Sequence, residues 1–309
     1  MTQSFSNPTR DHNPLHKQPV WRENLINRLI RISGYSTIVF VILIFFFLLR
    51  ESFPAFSPTI LQKTLQVRWY PIENYFGILP LISGSFIVTL GAALVAVPLG
   101  LGTAVFISEI SPRWLREILK PLVEVLAGLP SVVLGFIGIL TLVPLVRQTL
   151  NLPTGLTAFS GAILLGLISI PTIVSVAEDA LDAVPRSYRD ASLALGATDF
   201  QTIFQVTLPA ARSGVLTAIM LGLGRTIGET MTVLMVTGNA PVISTSLFMP
   251  VRTMTATIAA EMGEVAKGSD HYHVLFLIGL TLFLISLIVN VTASSVVFRQ
   301  RKRAERILS

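Results

Sequence analysis

Six long apolar runs, separated by polar segments, decide what this 309-residue chain can fold into. A helix needs about 20 apolar residues to cross the hydrocarbon core of a bilayer, where every backbone polar group must be bonded internally. Charged residues make up only 13% of the chain, whereas soluble domains carry about 25%. We therefore predict an all-α polytopic membrane protein with six transmembrane helices. The runs lie at about residues 33–49, 83–107, 122–146, 157–176, 214–237 and 274–298.

Lysine and arginine are concentrated in alternate segments between the runs. Sixteen of the 23 lie before the first run, after the second, after the fourth and after the sixth, and six lie in the other three segments. Because cytoplasmic segments carry the excess of positive residues, we predict a cell (inner or plasma) membrane protein with both termini in the cytoplasm. The predicted parts are a disordered cytoplasmic tail (1–28), the first transmembrane helix (29–50), a periplasmic loop (51–82), a membrane core (83–298) and a basic cytoplasmic tail (299–309).

The charge balance and the missing residue types exclude several functions. The net charge of +6 favours contact with anionic lipid headgroups in a membrane protein, and no motif indicates nucleic acid as a partner. The chain has no cysteine, which excludes disulfides, iron–sulfur clusters and thiol catalysis. No Walker-type glycine loop or Ser/His/Asp arrangement is present. We expect the chain not to be an enzyme and to bind no cofactor itself.

Two histidines near the last run raise the alternative of a metal site. His271 and His273 flank Tyr272 and follow Asp270. Residues two apart on a helix do not face each other, and no further histidine or cysteine lies nearby. The pattern favours anchoring at the membrane interface over a metal site.

Residues 178–212, called the polar segment below, interrupt the apolar pattern between the fourth and fifth runs. A loop of this length without secondary structure is unusual. We predict a short helix over 190–195 that ends at Gly196, because glycine commonly follows the last helical residue. A second helix is predicted over 199–206, ending before Leu208 and Pro209. The segment lies on the predicted cytoplasmic side, so these two helices are expected outside the membrane.

Three ionisable residues, Glu124, Arg225 and Glu229, lie within the apolar runs. A charge at bilayer depth costs at least about 2.5–3.5 kcal/mol, so each requires a partner or a wet cavity. Arg225 and Glu229 are four residues apart, which places them on one face of a helix. One interpretation is an internal ion pair. The other is an anion site, in which Glu229 positions Arg225 and the planar guanidinium fork binds phosphate or carboxylate.

The third run contains a kink beside further polar residues. Pro130 removes a helix hydrogen bond, and broken helices at membrane depth commonly line substrate paths. Ser131 is a candidate donor there, whereas Glu124 lies near the start of the run, where it reaches the interface or pairs with Lys120. The candidate substrate-path residues are Arg225, Glu229, Ser131 and Glu124.

The polar segment resembles the EAA loop of binding-protein-dependent ABC importer permeases. That loop reads Glu-Ala-Ala, three residues, Gly, nine residues and Ile-x-Leu-Pro. Here the same spacing reads Asp190-Ala191-Ser192, then Gly196, then a stretch that ends in Leu208-Pro209. Asp for Glu, Ser for the second Ala and Val for Ile are mild departures.

Two further stretches resemble phosphate-importer permeases of the PstC type. They are LAGLPSVVLGF (126–136) and GRTIGETMTVLMVTGN (224–239). The partner permease type, PstA, shares the GR-x-x-GE core, and the GETM continuation favours PstC. The resemblance covers about residues 76–298.

The resemblance implies a type I ABC importer permease (MetI-like) fold and a role in phosphate transport as a transmembrane subunit. It implies a PstA-like second permease, two PstB-like ATPase subunits that use ATP and Mg²⁺, a PstS-like phosphate-binding protein and membrane lipid as partners. The polar segment would dock on an ATPase subunit, and Arg225 would offset the charge of the passing phosphate. The residues implied in ATPase coupling are Asp190, Ala191, Ser192, Leu195, Gly196, Phe200, Leu208 and Pro209.

Four alternatives stay open. The first is a permease for another oxyanion, such as sulfate or molybdate, and the second is the PstA-type partner permease. The third is an ion-coupled secondary transporter with Glu229 or Glu124 as the proton carrier, which would not need the EAA-like segment. The fourth is a signalling or scaffold membrane protein that senses phosphate without moving it.

Overall fold

The computed structural model describes residues 20–308, which are mostly helical. The chain divides into a first unit that ends at Phe47 and a second that begins at Leu48. Helix α1 (Val20–Ser52) is long and apolar enough to cross a membrane. It begins at Val20, before the predicted first transmembrane helix (29–50), and includes polar and basic residues as well as the apolar run. The predicted disorder of the tail (1–28) is wrong for residues 20–28, which are helical. Residues 1–19 lie outside the described residues.

A segment of short helices and strands follows α1. It contains a 3₁₀ turn (Phe53–Phe56), helix α2 (Pro58–Thr64) and a two-stranded antiparallel sheet. Strands β1 (Trp69–Tyr70) and β2 (Tyr75–Phe76) pair with Trp69 opposite Phe76. Both of these aromatic side chains are buried in a core shared with the first turns of the last helix, so the segment is fixed to the second unit.

Two helices form the centre of the second unit. Helix α3 (Leu79–Val105) ends in a π-helical turn (Phe106–Ile110), and helix α7 (Ala158–Asp182) packs along it. Their apolar side chains contribute to shared cores. Helix α7 begins at the N-cap Thr157, whose side chain accepts a hydrogen bond from the amide of Ser160, as an N-cap threonine commonly does.

The third apolar run is broken, and its predicted start was wrong. Helix α4 (Arg113–Ala127) is a separate amphipathic helix that begins before the predicted run 122–146 and includes its first residues. Residues 128–130 interrupt the helix, because Pro130 cannot donate a backbone hydrogen bond. The spanning part then runs through α5 (Ser131–Ile137), a π-helical turn (Gly138–Leu142) and α6 (Val143–Thr149). This stretch has 19 residues and is apolar enough to cross a membrane.

The polar segment is more helical than predicted. Its first residues, up to Asp182, belong to α7. Helix α8 (Arg186–Ala194) agrees with the predicted first helix apart from its earlier start. The predicted second helix begins with α9 (Asp199–Thr202) and does not stop before Leu208, because a π-helical turn (Ile203–Thr207) leads directly into α10 (Leu208–Ala210).

The fifth run is also broken, contrary to the predicted continuous span 214–237. Helix α11 (Arg212–Gly228) ends where Glu229 adopts an extended conformation, and α12 (Met231–Val236) follows. Among the described residues, five helices are long and apolar enough to cross a membrane, and a sixth is reached if 199–210 and α11, bent by 74°, count as one span. The predicted loop 238–273 contains α13 (Met254–Glu261), and α14 (Asp270–Leu308) ends the described chain.

Candidate functional site

Arg225 lies in the last turn of α11, and neutral groups surround its guanidinium. Nη1 donates to the hydroxyl of Thr172 at 3.1 Å, and Nη2 donates to the backbone carbonyl of Ala127 at 3.3 Å. Thr172 follows Pro171 in α7, and Ala127 is the last residue of α4. Within residues 20–308, no carboxylate lies within ion-pair distance of Arg225. The guanidinium therefore keeps an uncompensated positive charge.

One interpretation of the sequence was that Glu229 positions Arg225. In the structure the two side chains have separate partners. Helix α11 ends at Gly228, so the two residues are no longer related by one helical turn. Instead Glu229 Oε1 accepts from the amides of Thr230 at 3.2 Å and Thr232 at 3.4 Å. Its carboxylate thus caps the start of α12, where free amides favour negative charge.

Ser131 connects the two broken runs. Its backbone carbonyl accepts from the hydroxyl of Thr232 at 3.1 Å. Ser131 begins α5 and Thr232 lies in the first turn of α12, so the breaks in the third and fifth runs meet. Arg225 reaches the end of α4 from the same region. Three of the four candidate path residues, Arg225, Glu229 and Ser131, therefore surround one junction of helix ends.

Glu124 is placed differently. It is exposed on α4, one turn before Ala127. The expected pair with Lys120 is not present among the described ion pairs, because Lys120 turns towards α7. The structure gives Glu124 no contact with the junction.

Close packing of α11 on α7 positions Arg225. A Cβ atom built at Gly222 would lie 2.4 Å from Ile173 Cγ1, so only glycine fits at this crossing. One turn further along α11, the hydroxyl of Thr226 lies 2.7 Å from that of Ser169 on α7 in a buried contact. An apolar cavity of about 520 Å³ lies beside Pro171 and Leu129. The residues that line this cavity are uncharged, so it provides no charged partner for Arg225.

The polar segment forms a helical hairpin around Gly196. Gly196 has a φ of +85°, a conformation that favours glycine, and it ends α8. Thr198 and Gln201 form a reciprocal capping box that starts α9. The hydroxyls of Ser192 and Thr202 are 2.9 Å apart and connect the two helices. The predicted glycine stop and the two-helix arrangement are confirmed here.

The hairpin exposes a set of apolar side chains. Leu195 is 90% exposed and Phe200 68%, and the ring of Phe200 packs against that of Phe204 with centroids 4.5 Å apart. Aromatic and leucine side chains grouped on a polar surface commonly mark a protein interface. Asp190, Ala191 and Pro209 are also exposed, whereas Leu208 and Ser192 are half-buried. The apolar and acidic coupling candidates are thus accessible to a partner.

A cluster of ion pairs joins α4 to the end of α7. Glu178, whose side chain is only 2% exposed, contacts Arg116 at 2.8 Å and Lys120 at 2.9 Å. Arg116 also pairs with Asp182, and Lys120 lies 3.1 Å from Asp179. Burial alone would lower the pKa of Arg116, but Glu178 and Asp182 raise it. The hydrogen bond that Lys120 donates to Glu178 raises the pKa of Lys120 against the effect of burial.

Sequence reasoning missed this cluster, called the α4–α7 ion cluster below. Glu178 and Asp182 are spaced by four, as are Arg116 and Lys120, and this spacing puts each pair on one helix face. That spacing predicts a charged face on each helix but not that the two faces meet. Sequence reasoning also missed a bidentate pair between Arg189 and Glu109, for which the local sequence gives no signal.

The two histidines at the start of α14 contact protein groups. His271 Nε2 lies 2.8 Å from Glu261, which also accepts from Arg252 at 2.6 Å and from Trp69 at 3.2 Å. Burial alone would raise the pKa of Glu261, but the bonds from His271 and Trp69 and the charge of Arg252 lower it. Within the described residues, no group of three or more His, Asp or Glu side chains is arranged to hold a metal ion.

Comparison with known proteins identifies the family of this chain. Residues 96–304 match the family model described as "Binding-protein-dependent transport system inner membrane component". The chain belongs to this family. The match begins within α3 and covers both broken runs, the polar segment and most of α14, so it includes every candidate substrate-path and coupling residue.

Curated relatives cover most of the chain. The "Probable ABC transporter permease protein YqgH" of Bacillus subtilis is 40% identical over 238 residues, which are 76% of this chain and 77% of the relative. The "Phosphate transport system permease protein PstC" of Mesorhizobium japonicum is 36% identical over 250 residues, 75% and 76% of the two chains. A PstC of Xylella fastidiosa is 35% identical over 254 residues, 76% and 78% of the two chains.

Solved structures support the fold. A chain of the inward-facing MetNI methionine ABC transporter aligns with a TM-score of 0.55 at 17% identity, covering 79% of this chain and 98% of the other. A chain of a bacterial ABC transporter involved in alginate import aligns with a TM-score of 0.57 at 13% identity, covering 91% and 99%. The predicted all-α, MetI-like ABC permease fold is confirmed, and the resemblance to PstC-type permeases is confirmed by the curated relatives.

Family membership settles the broad role. The chain is a multi-pass membrane permease subunit of an ABC importer, and permease subunits of this family are not themselves enzymes. Members work with ATPase and substrate-binding partners.

Proposed function

We propose that the protein is the permease subunit of an ATP-driven, binding-protein-dependent importer of inorganic phosphate. The observation that carries the choice of an anion is Arg225, a guanidinium with only neutral partners at the junction of two broken runs. The names of the PstC relatives support phosphate as that anion.

Arg225 is the proposed phosphate contact. An arginine with a carboxylate partner would have its charge neutralised, whereas Arg225 donates only to a hydroxyl and a carbonyl. These neutral bonds orient the guanidinium and leave its charge to attract an oxyanion. Glu229 and Ser131 hold the helix ends around it, so their proposed role is to shape the junction.

The polar segment is the proposed docking surface for the ATPase subunit. Its exposed apolar residues Leu195 and Phe200 would enter a groove on that subunit, and Gly196 sets the angle between the two helices. The partner set that follows is a PstA-like permease, two PstB-like ATPases that bind ATP and Mg²⁺, and a PstS-like binding protein. Both termini would then lie in the cytoplasm.

Uptake of radiolabelled phosphate by cells tests the substrate and the energy source. We expect uptake that excess unlabelled phosphate abolishes and that sulfate and molybdate leave unchanged. Inhibition by sulfate or molybdate at similar concentrations would instead assign another oxyanion. We also expect vanadate to block uptake, and uptake that survives vanadate but collapses with a protonophore would favour a secondary transporter.

Copurification tests the docking surface. Deletion of residues 190–205 is expected to abolish copurification of the ATPase subunit while the chain remains in the membrane fraction. Retained copurification would contradict the assignment. The matched control is Leu221→Ala, an exposed apolar residue on α11 outside the segment, which is expected to leave copurification unchanged.

A further inference from the structure

Arg189, in the middle of α8, bonds to two other parts of the chain. Its Nε and Nη2 donate to the two carboxylate oxygens of Glu109 at 3.0 and 2.5 Å. The same guanidinium donates to the backbone carbonyls of Leu181 at 3.0 Å and Val184 at 3.2 Å. One side chain therefore connects α8 to the end of α7 and to the π-helical turn that follows α3.

Apart from the bonds of Arg189, α8 is held mainly by α9 and the π-helical turn that follows it. None of its residues is buried, so the apolar core does not fix its position. Only residues 183–185 join it to α7, and Gly196 follows it in a left-handed conformation. The contact of Ser192 with Thr202 holds α8 to α9, and Ile203 in the following π-helical turn packs in the core with α3 and α7. This second connection is indirect, whereas Arg189 reaches Glu109 itself.

The Arg189–Glu109 pair has the geometry of a rigid connection. Two parallel bonds between a guanidinium and a carboxylate fix both distance and orientation. The Glu109 side chain is only 7% exposed, so water competes little for it. A lysine at position 189 would keep the charge but lose the fork that reaches both oxygens and the two carbonyls.

We propose that Arg189 is a positioning residue that makes α8 and α3 move as one body. This inference rests on the proposed docking role of the polar segment. Movement of an ATPase subunit against α8 would then reach α3 directly through Glu109, in addition to passing along the chain into α7. Without the pair, only the indirect connection through Ile203 would remain, and less of the movement would reach α3.

Distance measurement between α8 and α3 tests the proposal. The chain has no cysteine, so Ser187→Cys on α8 and Leu99→Cys on α3, both at exposed positions, give a single pair of spin labels. Pulsed electron paramagnetic resonance is recorded on the full chain, purified with its copurifying subunits, without nucleotide and with ATP and vanadate. We expect one narrow distance distribution in both states, and a broadened one in Arg189→Ala and in Glu109→Gln.

Two controls separate this role from a general loss of structure. Arg186→Ala removes an exposed arginine one turn earlier on α8 and is expected to keep the narrow distribution. If Arg189→Ala does not accumulate, Arg189→Lys provides the same comparison. In reconstituted vesicles, anion transported per ATP hydrolysed is expected to fall by about 2-fold to 30-fold in Arg189→Ala.

A narrow distribution that persists in both Arg189→Ala and Glu109→Gln would overturn the proposal, whatever happens to transport. Failure of the proposed function would look different. In that case no ATPase subunit would copurify with the unsubstituted chain, while the distance comparison would still decide whether Arg189 holds α8 to α3.

Discussion

Two groups of basic side chains in this protein have opposite surroundings. In the α4–α7 ion cluster, Arg116 and Lys120 each contact two carboxylates, and Glu178 between them is almost fully buried. Arg225 contacts only the hydroxyl of Thr172 and the carbonyl of Ala127. A compensated cation holds helices together, whereas an uncompensated one remains available to an anion. The comparison therefore assigns structure to the cluster and transport to Arg225.

The largest effect on stability is expected from Glu178→Ala. The change leaves Arg116 and Lys120 without their buried partner, and removal of one member of such a pair costs about 3 kcal/mol or more. Both basic residues reach solvent, so the lower end of the range applies. Denaturant unfolding of the purified protein in detergent measures the loss.

Asp179→Ala is the matched control for this change. Asp179 is mostly exposed and contacts only Lys120 in the cluster, and an exposed pair contributes less than about 1 kcal/mol. Equal losses in the two variants would mean that burial of Glu178 does not give the cluster its strength.

An intermediate effect is expected from Glu229→Ala. The variant loses the carboxylate that accepts from the amides of Thr230 and Thr232, and loss of a helix cap costs about 1 kcal/mol. Glu229→Gln retains an acceptor oxygen, so phosphate uptake and stability are expected to stay near those of the unsubstituted protein. Loss of uptake in Glu229→Gln with normal stability would show that the negative charge of Glu229 itself acts on the anion. That result would contradict the assignment of a purely structural role to Glu229.

A smaller effect is expected when the pH is raised. The folded protein raises the pKa of Lys120 above its ordinary value of 10.5, chiefly through the bond to Glu178. The stability from this pair is therefore complete below pH 10.5 and is lost as the pH rises through the folded pKa. Melting temperatures of the unsubstituted protein and Lys120→Ala, measured across this range, are expected to converge. A constant difference would contradict a contribution from the charged pair.

The smallest change in stability is expected from Arg225→Met. Two hydrogen bonds from a charged group contribute about 3 kcal/mol together, and removing the charge recovers about 2.5–3.5 kcal/mol of the cost of placing it in a membrane. The two effects nearly cancel, so unfolding is expected to change little. A large loss of stability would make Arg225 a structural residue like those of the cluster.

Local patterns predicted much of this molecule. The lengths of the first, second, fourth and sixth apolar runs predicted long helices. Gly196 predicted the end of α8, because its left-handed conformation depends on one residue. The break at Glu229 escaped prediction, because GRTIGETM reads as continuous helix and the interruption is held by contacts with Thr232 and Thr255. Those contacts depend on which helix ends meet.

Pairs between distant residues were the least predictable. Arg116 and Glu178 are 62 positions apart, and Arg189 and Glu109 are 80 apart. No local spacing reports which of many opposite charges will be neighbours once the helices pack. Arg225, in contrast, could be identified from the local sequence alone. A charge inside an apolar run is costly wherever the run packs, so it indicates a candidate site.

Phosphate uptake by cells that carry Arg225→Met, with the amount of protein in the membrane checked, tests the central claim most directly. Losing a charge-assisted contact of about 1.5–3 kcal/mol is expected to lower uptake by about 10-fold to 100-fold. Arg147→Ala, which removes an exposed arginine at the end of α6, is expected to leave uptake unchanged. Normal uptake by Arg225→Met at normal abundance would contradict the account.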